Sequence, residues 1–407
     1  MTTKARANGE GSIYPHRNGF AAYAWVQTPA GARKRKYVYG KTRDEVHGKW
    51  LSLHQAAKAG PVATTVPRLD AFLASWLAEV IKPNRAPLTY VNYELFVRRY
   101  IVPGIGERRL DRLQVRDVQQ WINTLPTLCQ CCEQGKDERR EEKARRCCAR
   151  GLCCHDVPSA RTISDIRACL RSALSHAVRS ELVTRNVAQF VTLPSVRKKK
   201  RKAWTTDEVR IFLESARSAR DAMFAAYVLA VVLGLRKGEI LGLTWSDLDL
   251  DGGELTVGRQ LQRASGELLH RETKTEASDD TLPLPEVVIT ALRHRQEVQR
   301  ADRAKVGRAW QDTVGLVFTT KSGLPIEPRN FNRSWDNRCA RSEVRKITIH
   351  DARRSCATLL VDLDVHPRVI MRILRHAQFS VTMEIYSQAS SAATKAALHK
   401  LGDSLGG

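Results

Sequence analysis

Apolar and polar residues alternate along the first part of the chain, and turn-forming residues separate the alternating stretches. The alternation runs through Ser12-Ile13-Tyr14 and Ala24-Trp25-Val26, and it resumes at Arg33 after Pro29-Ala30-Gly31. A period of two is typical of β-strands, so we predict that residues 1–60 form a small antiparallel sheet with one helix packed on it. That helix is predicted from the capping residue Thr42 and from the apolar residues Val46, Trp50 and Leu53 at helical spacing.

From residue 67 onward the apolar residues recur every three or four positions, which is the period of an amphipathic helix. Residues 67–195 are therefore predicted to be all-helical. One helix is expected to start at Thr89 and to end at Pro103-Gly104, and another to span Ser159 to Val178. The residues predicted to face the helical core are Leu69, Phe72, Leu73, Trp76, Leu77, Ile163, Ile166, Leu170 and Leu174.

A third region begins at Thr205, where a capping pattern follows a run of cations. The almost wholly apolar stretch from Ala222 to Leu235 predicts a helix buried in the core of this region. Strands are expected around residues 255–261 and 281–284, with Lys274 between them as at the tip of a β-hairpin. The predicted fold class is multidomain α+β, with a sheet-plus-helix N-terminal domain, an all-helical domain and a mainly helical domain with a small antiparallel sheet. The predicted boundaries are 1–60, 67–195 with a cysteine-rich insertion at 129–155, a linker at 196–204, 205–389 and a tail at 390–407.

The charge of the chain narrows the choice of partner. Lysine and arginine number 67 against 43 acidic residues, a formal net charge of +24. Such an excess attracts polyanions, so nucleic acid is the leading candidate partner and an anionic membrane surface is the rival. The sequence contains no apolar run of about 18 residues and no leader-like N-terminus. We therefore expect a soluble protein of the cell interior.

Two basic segments are candidate DNA contacts, namely Arg33-Lys34-Arg35-Lys36 and Arg197-Lys198-Lys199-Lys200-Arg201-Lys202. The first lies on a predicted strand, where it either binds phosphates or protects a strand edge from unwanted pairing. The second forms the predicted linker, where it either follows the DNA backbone or is a solvated charge run. The net charge favours phosphate binding for the first segment, whereas the second segment alone decides nothing.

Seven of the ten cysteines lie between Cys129 and Cys154. Cysteine pairs separated by a loop can wrap a tetrahedral zinc ion, and Cys129 and Cys132 have the two-residue gap that structural sites favour. The second half of the cluster has no matching gap, so disulfides or a metal-free redox-sensitive loop are alternatives. A zinc hydrolase is disfavoured, since neither an open metal position nor a nearby general base is visible. The prediction is one structural zinc held by Cys129, Cys132, Cys148 and Cys153.

The last fifth of the chain contains groups suited to attack on a phosphodiester. His350-Asp351-Ala352-Arg353 is followed by Leu374-Arg375-His376 and then by Tyr386, the only tyrosine after Tyr227. On a helix His350 and Arg353 share one face, so Asp351 is expected to point elsewhere, into a structural contact. Arg236 directly follows the predicted buried helix, where it is either a rigid phosphate clamp or a cation favoured by the helix dipole. No phosphate-binding loop of the GxxxxGK[ST] kind and no paired carboxylates of a two-metal nuclease occur in the sequence.

Five sequence motifs in this order resemble the tyrosine recombinase family, the phage-type integrases. The motifs are LGLRKGEILGLTWSDLDLD, RETKTEASDDTLPLP, HDARRSCATLL, LRH and Tyr386. The resemblance covers the whole chain and extends to integrases of actinobacterial integrative elements and phages. It implies an arm-binding domain, a helical core-binding domain and a catalytic domain, in that order.

The resemblance also implies a role for each conserved motif position. Arg236 and Arg353 would bind the non-bridging oxygens of the scissile phosphate, with His350 and His376 completing the site. Lys274 would protonate the 5′-oxygen leaving group, His350 would act as acid or base, and Tyr386 would be the nucleophile. The catalytic residues implied are thus Arg236, Lys274, His350, Arg353, His376 and Tyr386, with no ATP and no catalytic metal.

Two positions depart from the family pattern. Arg375 stands where the family commonly has glycine, and Ala352 stands where it usually has leucine. Arg375 either adds a DNA phosphate contact or crowds the turn. Glu239, three residues after Arg236, is expected to orient that arginine or a backbone group, the alternative being a glutamate that faces solvent at a helix start.

The sequence and the resemblance together predict a site-specific recombinase that integrates and excises a mobile element through a 3′-phosphotyrosyl intermediate. The expected partners are double-stranded attachment sites, three further protomers in a tetramer on DNA, and an excision directionality factor. The tail from Ser390 would dock on a neighbouring protomer, or it is an ordinary fraying terminus. The alternative function is a DNA-binding architectural or regulatory protein on the same fold.

Overall fold

A computed structural model of the chain describes residues 13–28, 31–60, 66–195, 202–272, 280–375 and 378–386. The chain divides into two compact units, Met1–Arg197 and Lys198–Gly407. The division falls within the predicted basic linker. The predicted sheet-plus-helix domain and the predicted helical domain both belong to the first unit, where each has a hydrophobic core of its own.

The first unit begins with an antiparallel sheet of β1 (Tyr14–His16), β2 (Gly19–Gln27) and β3 (Arg33–Gly40), in the order β1-β2-β3. Helix α1 (Arg43–Ala59) follows, and the hydroxyl of its capping residue Thr42 accepts a hydrogen bond from the Glu45 backbone N–H at 3.2 Å. As predicted, the helix buries its apolar stripe against one face of the sheet, and the residues in contact are Ala22, Ala24, Val26, Val46, Trp50 and Leu53.

Outside residues 134–159, which form turns, short 3₁₀ segments and irregular chain, the described rest of the first unit is mainly helical, as predicted, and every residue predicted to face its core is buried. Helix α4 starts at Pro87, two residues before the predicted start, because proline suits the first turn of a helix. The helices are α2 (Leu69–Ser75), α3 (Lys82–Asn84), α4 (Pro87–Phe96), α5 (Val102–Ile105), α6 (Val115–Thr124), α7 (Gln130–Glu133) and α8 (Ala160–Arg179), with π-helical turns at Trp76–Ile81 and Val97–Ile101.

The prediction that Pro103-Gly104 ends the helix begun in α4 is right to within one residue, because α5 ends at Ile105, but the helix passes through Pro103 before it ends. The chain continues through the π-helical turn at Val97–Ile101 into α5, and the N–H of Val102 donates to the carbonyl of Val97, five residues earlier. In a regular α-helix the ring of Pro103 would clash with the carbonyl four residues before it. The wider turn moves that carbonyl aside, so the helix passes through the proline.

The second unit is mainly helical, as predicted, and its core is built around α10, which is buried along almost its whole length. Five aromatic side chains pack together beside it: Trp204, Phe212, Tyr227, Phe331 and Trp335. The helices are α9 (Thr206–Ser218), α10 (Phe224–Val232), α11 (Lys237–Gly242), α12 (Glu286–Val306), α13 (Pro328–Arg341), α14 (Ile349–Asp362), α15 (Pro367–Leu374) and α16 (Phe379–Tyr386).

The strands of the second unit are arranged differently from the prediction. A single strand was expected at residues 255–261. The strand is interrupted at Gly258, and the two strands on either side of it belong to different sheets. The observed hairpin turns at Ser265-Gly266, ahead of the segment that contains Lys274. The strands are β4 (Leu248–Asp249), β5 (Glu254–Val257), β6 (Arg259–Ala264), β7 (Glu267–Glu272) and β8 (Asp280–Pro283), with β4-β5-β8 in one antiparallel sheet and β6-β7 in another.

Among the described helices, none combines the length and the apolar character that a membrane crossing requires. The predicted tail at 390–407 lies outside the described residues.

Candidate active site

Arg236 is positioned by a tight turn between α10 and α11. Gly234 in this turn has a φ of +59°, a conformation that favours glycine. A β-carbon at this position would lie 2.6 Å from the Cδ2 of Leu374, so a larger residue would also collide with the end of α15. Arg236 then caps α11, and its side chain remains 42% exposed. The turn therefore presents a guanidinium to solvent at a fixed point.

Glu239 connects the backbone and the side chain of Arg236. Its Oε2 accepts a hydrogen bond from the Arg236 backbone N–H at 2.8 Å, and its Oε1 accepts one from Arg236 Nη1 at 2.6 Å. The carboxylate is buried rather than exposed to solvent. Glu239 is thus the orienting residue of Arg236, and the alternative of a solvent-facing glutamate is wrong.

Arg353 enters the same region from α14 and is almost completely buried. Its Nη1 donates to the carbonyl of Gly234 at 2.7 Å, and its Nη2 donates to the carbonyl of Leu374. Burial, followed by the repulsion of nearby Arg236, lowers the pKa of Arg353 to about 9. Keeping the buried Arg353 guanidinium charged therefore costs free energy, and a bound anion would reduce that cost.

The start of α14 explains the neighbouring positions in the HDAR motif. Asp351 forms a capping box with Thr348, whose backbone N–H donates to Asp351 Oδ2 at 3.1 Å. This is the structural contact expected for Asp351 outside the chemistry. His350 lies in the same first turn with an exposed side chain, and Ala352 is buried in the core of the second unit.

Arg375 takes the left-handed conformation at the end of α15, with a φ of +51°. This is the position at which helices most often carry glycine, which accounts for the residue common in the family. The side chain is fully buried, and its Nη2 donates to Glu239 Oε2. Neither the DNA phosphate contact nor the crowded turn considered for Arg375 describes this position. The side chain of Arg375 points inward and donates to Glu239, which also accepts from Arg236.

The described part of the chain contains only some of the implied catalytic residues. Lys274 and His376 lie outside the described residues. Tyr386 is the last residue of α16, a helix that packs against α14 and α15, and its side chain is not described. The structure therefore brings together Arg236 and Arg353, with His350 on the same helix as Arg353.

The first basic segment is divided between two faces of the sheet. Arg33 and Arg35 pair with Gln27 and Trp25 on the face away from α1, where Arg35 stacks 4.8 Å from the Trp25 ring centroid. Lys34 pairs with the buried Val26, so it lies on the face that α1 covers, and Lys36 follows the same alternation. Sequence reasoning treated the four cations as one patch, although the strand period separates them.

The face away from α1 also carries exposed aromatic side chains, which the sequence analysis did not include among the candidate contacts. Trp25 is 46%, Tyr37 42% and Tyr39 52% exposed. Of the second basic segment, only Lys202 belongs to the described residues, and its carbonyl accepts a hydrogen bond from Arg345 Nη1 at 2.8 Å.

The four predicted zinc ligands lie together in the structure. The sulfurs of Cys129, Cys132, Cys148 and Cys153 are all within 4.8 Å of one another. Three further cysteines, Cys131, Cys147 and Cys154, form a second group of the same kind with Cys148. The sequence signal for the second group was present in the paired cysteines 131–132, 147–148 and 153–154. Zinc binding itself stays a prediction.

Comparison with known proteins places the chain in a family. Residues 202–392 match the phage integrase family, and residues 69–125 match the phage integrase N-terminal SAM-like domain. Together these matches span well over half of the chain. The chain therefore belongs to the phage integrase family of tyrosine recombinases.

Several relatives are similar along nearly the whole chain. A XerC-like tyrosine recombinase of Caldanaerobacter subterraneus subsp. tengcongensis is 26% identical over 87% of this chain and 88% of its own length. An integrase of Streptomyces ambofaciens is also 26% identical, over 94% and 93%. An integrase of Saccharopolyspora erythraea is 23% identical, over 93% and 92%. The predicted similarity to actinobacterial integrases is confirmed.

Solved structures share the fold at lower identity. The integrase of the Tn1549 transposon, solved with transposon right end DNA, has a TM-score of 0.63 at 18% identity and covers 83% of this chain and 100% of its own. A lambda integrase dimer bound to a core site has a TM-score of 0.54 at 17% identity, with 79% and 95% covered. The predicted fold class is confirmed.

Proposed function

We propose that this protein is a site-specific recombinase that cuts and rejoins DNA by using Tyr386 as the nucleophile. The observation that carries the proposal is the meeting of Arg236 and Arg353 at one point, beside the helix that ends in Tyr386. Family membership supports recombinase chemistry in general. The particular roles of these residues are part of the proposal.

The arrangement suits in-line attack on a phosphodiester. Negative charge collects on the equatorial oxygens of the phosphorus as the tyrosine oxygen approaches, and fixed cations stabilise that charge more than they stabilise the ground state. Arg236 would contact the phosphate directly, because its head is exposed. His350 would exchange the phenolic proton, and Lys274 would protonate the departing 5′-oxygen.

Arg353 requires a movement before it can touch the same phosphate. It is 4% exposed and lies beneath the end of α15, where the Leu374 carbonyl holds one of its nitrogens. We propose that DNA binding shifts the end of α15 together with α16. That shift would uncover Arg353 and would bring Tyr386 to the phosphorus in the same step.

The reaction conserves the energy of the phosphodiester. Attack by the Tyr386 oxygen forms a 3′-phosphotyrosyl bond and releases a 5′-hydroxyl, and a 5′-hydroxyl from a second DNA strand later reverses the step. No ATP and no catalytic metal are required by this balance. We propose that the substrates are attachment sites of a mobile element and the bacterial chromosome, recombined in the cytoplasm by a tetramer. An excision directionality factor would select the direction.

The test uses a nicked duplex that loses a short strand after cleavage and so traps the covalent product. Duplexes taken from the DNA that flanks the gene are incubated with the wild-type chain, with Tyr386→Phe and with Tyr90→Phe as a matched control. We expect a protein–DNA adduct in denaturing gels with the wild type and the control, and none with Tyr386→Phe.

Two outcomes would contradict the proposal. An adduct that persists in Tyr386→Phe would assign the nucleophile to another residue. Tight and specific DNA binding without any adduct, in the wild type as in the variants, would favour the architectural alternative.

A further inference from the structure

The insertion at residues 129–155 has no hydrophobic core of its own. Its apolar residues other than cysteine are Ala144, Ala149 and Leu152, and Leu152 is 67% exposed. Within the insertion, which is described throughout, the buried residues are Cys129, Gln130, Cys131 and Asp137. A segment of this size without apolar burial needs another source of folding energy, such as disulfides or metal.

The distances between sulfurs in the insertion match metal coordination. Cys131 and Cys147 are 3.7 Å apart, Cys148 and Cys154 3.9 Å, and Cys132 and Cys153 3.8 Å. A zinc ion bound to sulfur at about 2.3 Å in a tetrahedron places its ligands about 3.8 Å from one another. All seven cysteines of the insertion are free thiols rather than disulfides.

The seven sulfurs divide into two sets of four that share Cys148. One set is Cys129, Cys132, Cys148 and Cys153, and the other is Cys131, Cys147, Cys148 and Cys154. We propose that the insertion binds two zinc ions, each with four thiolate ligands, and that the Cys148 sulfur bridges them. Binding releases the thiol protons to solvent and changes no oxidation state. This goes beyond the single zinc predicted from the sequence and does not depend on the proposed function.

The distance between the sulfurs of Cys132 and Cys148 must change when metal binds. Cys132 and Cys148 are 2.9 Å apart, closer than two ligands of one tetrahedral zinc, so this pair must open by about 1 Å. Both residues lie in parts of the insertion that are at least partly exposed, where such an adjustment disturbs little packing.

The backbone around the second set is already fixed by a buried carboxylate. Asp137 accepts hydrogen bonds from the backbone N–H groups of Cys147 at 2.9 Å and Ala149 at 3.1 Å, and it pairs with Arg140 at 2.7 Å. The ends of the insertion are joined by the Gln130 N–H, which donates to the Asp156 carbonyl at 2.7 Å. The two turns that carry the cysteines are therefore held next to each other before metal binds.

The charge of the insertion is compatible with two ions. Seven thiolates and two Zn²⁺ together carry a net charge of −3. The insertion supplies seven lysine and arginine residues against five acidic residues, and this excess of two positive charges offsets most of the negative charge. A four-coordinate thiolate set is closed, so both ions would be structural rather than catalytic.

The test is the zinc content of the full chain, purified under reducing conditions and measured by mass spectrometry of the elements. We expect two zinc ions per chain in the wild type. The pair Cys131→Ser and Cys147→Ser should lower this to one, and so should the pair Cys129→Ser and Cys153→Ser. Cys169→Ala, which removes a buried thiol of α8 outside the insertion, should leave two.

A second measurement covers the possibility that a variant fails to fold. Chelator added to the wild type should release two equivalents of zinc and make the seven thiols reactive, and cobalt in place of zinc should give the absorption of tetrahedral thiolate sites. One zinc per chain that is unaffected by the Cys131 and Cys147 substitutions would overturn the second site. Zinc-free protein, or a mass that reports disulfides in the freshly reduced chain, would overturn both sites.

Discussion

Glu239 holds two arginines at once, and this shared contact sets the geometry of the candidate site. It accepts from Arg236 on one side and from Arg375 on the other, and all three lie near the buried Arg353. The cluster therefore contains three cations and one carboxylate. This excess of positive charge suits a phosphodiester, which carries one negative charge.

The first prediction concerns the pair Glu239 and Arg375. Glu239→Gln would leave the Arg375 cation buried beside two other arginines, and breaking a buried ion pair in this way costs about 3–5 kcal/mol. We expect a marked fall in the melting temperature of Glu239→Gln. Adding Arg375→Gly should restore much of the loss, because glycine removes the buried charge and favours the left-handed conformation.

The control for this cycle is Arg375→Gly alone, measured by the same thermal unfolding. An equal effect of Arg375→Gly on the stability of the wild type and of Glu239→Gln would show that the two side chains are not coupled. Cleavage of the nicked duplex by Arg375→Gly reports whether Glu239 still orients Arg236 when Arg236 is its single partner.

Residue by residue, the sequence predicted what local patterns encode. Asp351 was expected to avoid the chemistry because it lies one position from His350 on a helix, and it caps α14. The contact between Arg375 and Glu239 was not predicted, because it joins residues 136 positions apart. No periodicity relates such positions, and only the folded chain shows that this arginine turns inward.

At the scale of elements, caps and apolar spacing located several of the longer helices, including α1 and α8 with their capping residues Thr42 and Ser159. The wide turn that carries the chain through Pro103 could not be predicted, because its cause is a hydrogen-bond pattern rather than a composition. The split of one predicted strand into β5 and β6 depends on which partner each half finds, and those partners lie further along the chain.

The start of α9 links the end of the basic linker to the core. Trp204 is buried, and its backbone N–H donates to the Ser355 hydroxyl at 2.9 Å. Arg345 donates to the carbonyls of Lys202 and Ala203 and also to Glu208 in the first turn of α9. The chain is therefore anchored where it leaves the linker, close to the helix that carries Arg353.

The second prediction is a dependence of stability on pH at this anchor. Burial alone would raise the pKa of Glu208, but hydrogen bonds from Arg345 and Thr205 lower it below its ordinary value of 4.5. A carboxylate with a lowered pKa stabilises the fold above about pH 4.5, and that stabilisation is lost as the pH falls through the folded-state pKa. Glu208→Gln should therefore cost about 1 kcal/mol at pH 7 and less at pH 3.

The matched control is Glu214→Gln on the same helix. Glu214 forms an exposed ion pair with Arg217, and such pairs contribute little to stability. Urea unfolding at the two pH values separates the variants. If Glu208→Gln lowers the free energy of unfolding by the same amount at both pH values, the predicted pH dependence is contradicted.

For the whole molecule, the net charge of +24 raises the question of which cations recognise DNA. The exposed face of the N-terminal sheet combines Arg33 and Arg35 with Trp25, Tyr37 and Tyr39. Arginines stacked on aromatic rings are held in place, so less conformational entropy is lost when they bind phosphate. We propose that this face, and not the basic strand as a whole, contacts a DNA duplex.

The third prediction compares two neighbouring residues that carry the same charge. Arg33→Glu changes the exposed aromatic face, whereas Lys34→Glu makes the same charge change on the face toward α1. We expect Arg33→Glu to weaken binding of flanking DNA about tenfold more than Lys34→Glu, and to reduce the salt dependence of binding. Equal losses would mean that the field of the whole chain, rather than this face, determines the affinity.

The members of the arginine cluster lie far apart in the sequence, so the ribosome synthesises them at different times. Arg236 and Glu239 leave the ribosome more than a hundred residues before Arg375, and at about 5–20 residues per second this interval is of the order of ten seconds. An unfinished chain has the N-terminal sheet but neither the completed cluster nor Tyr386. If the proposed function holds, nascent copies would bind DNA without being able to nick it.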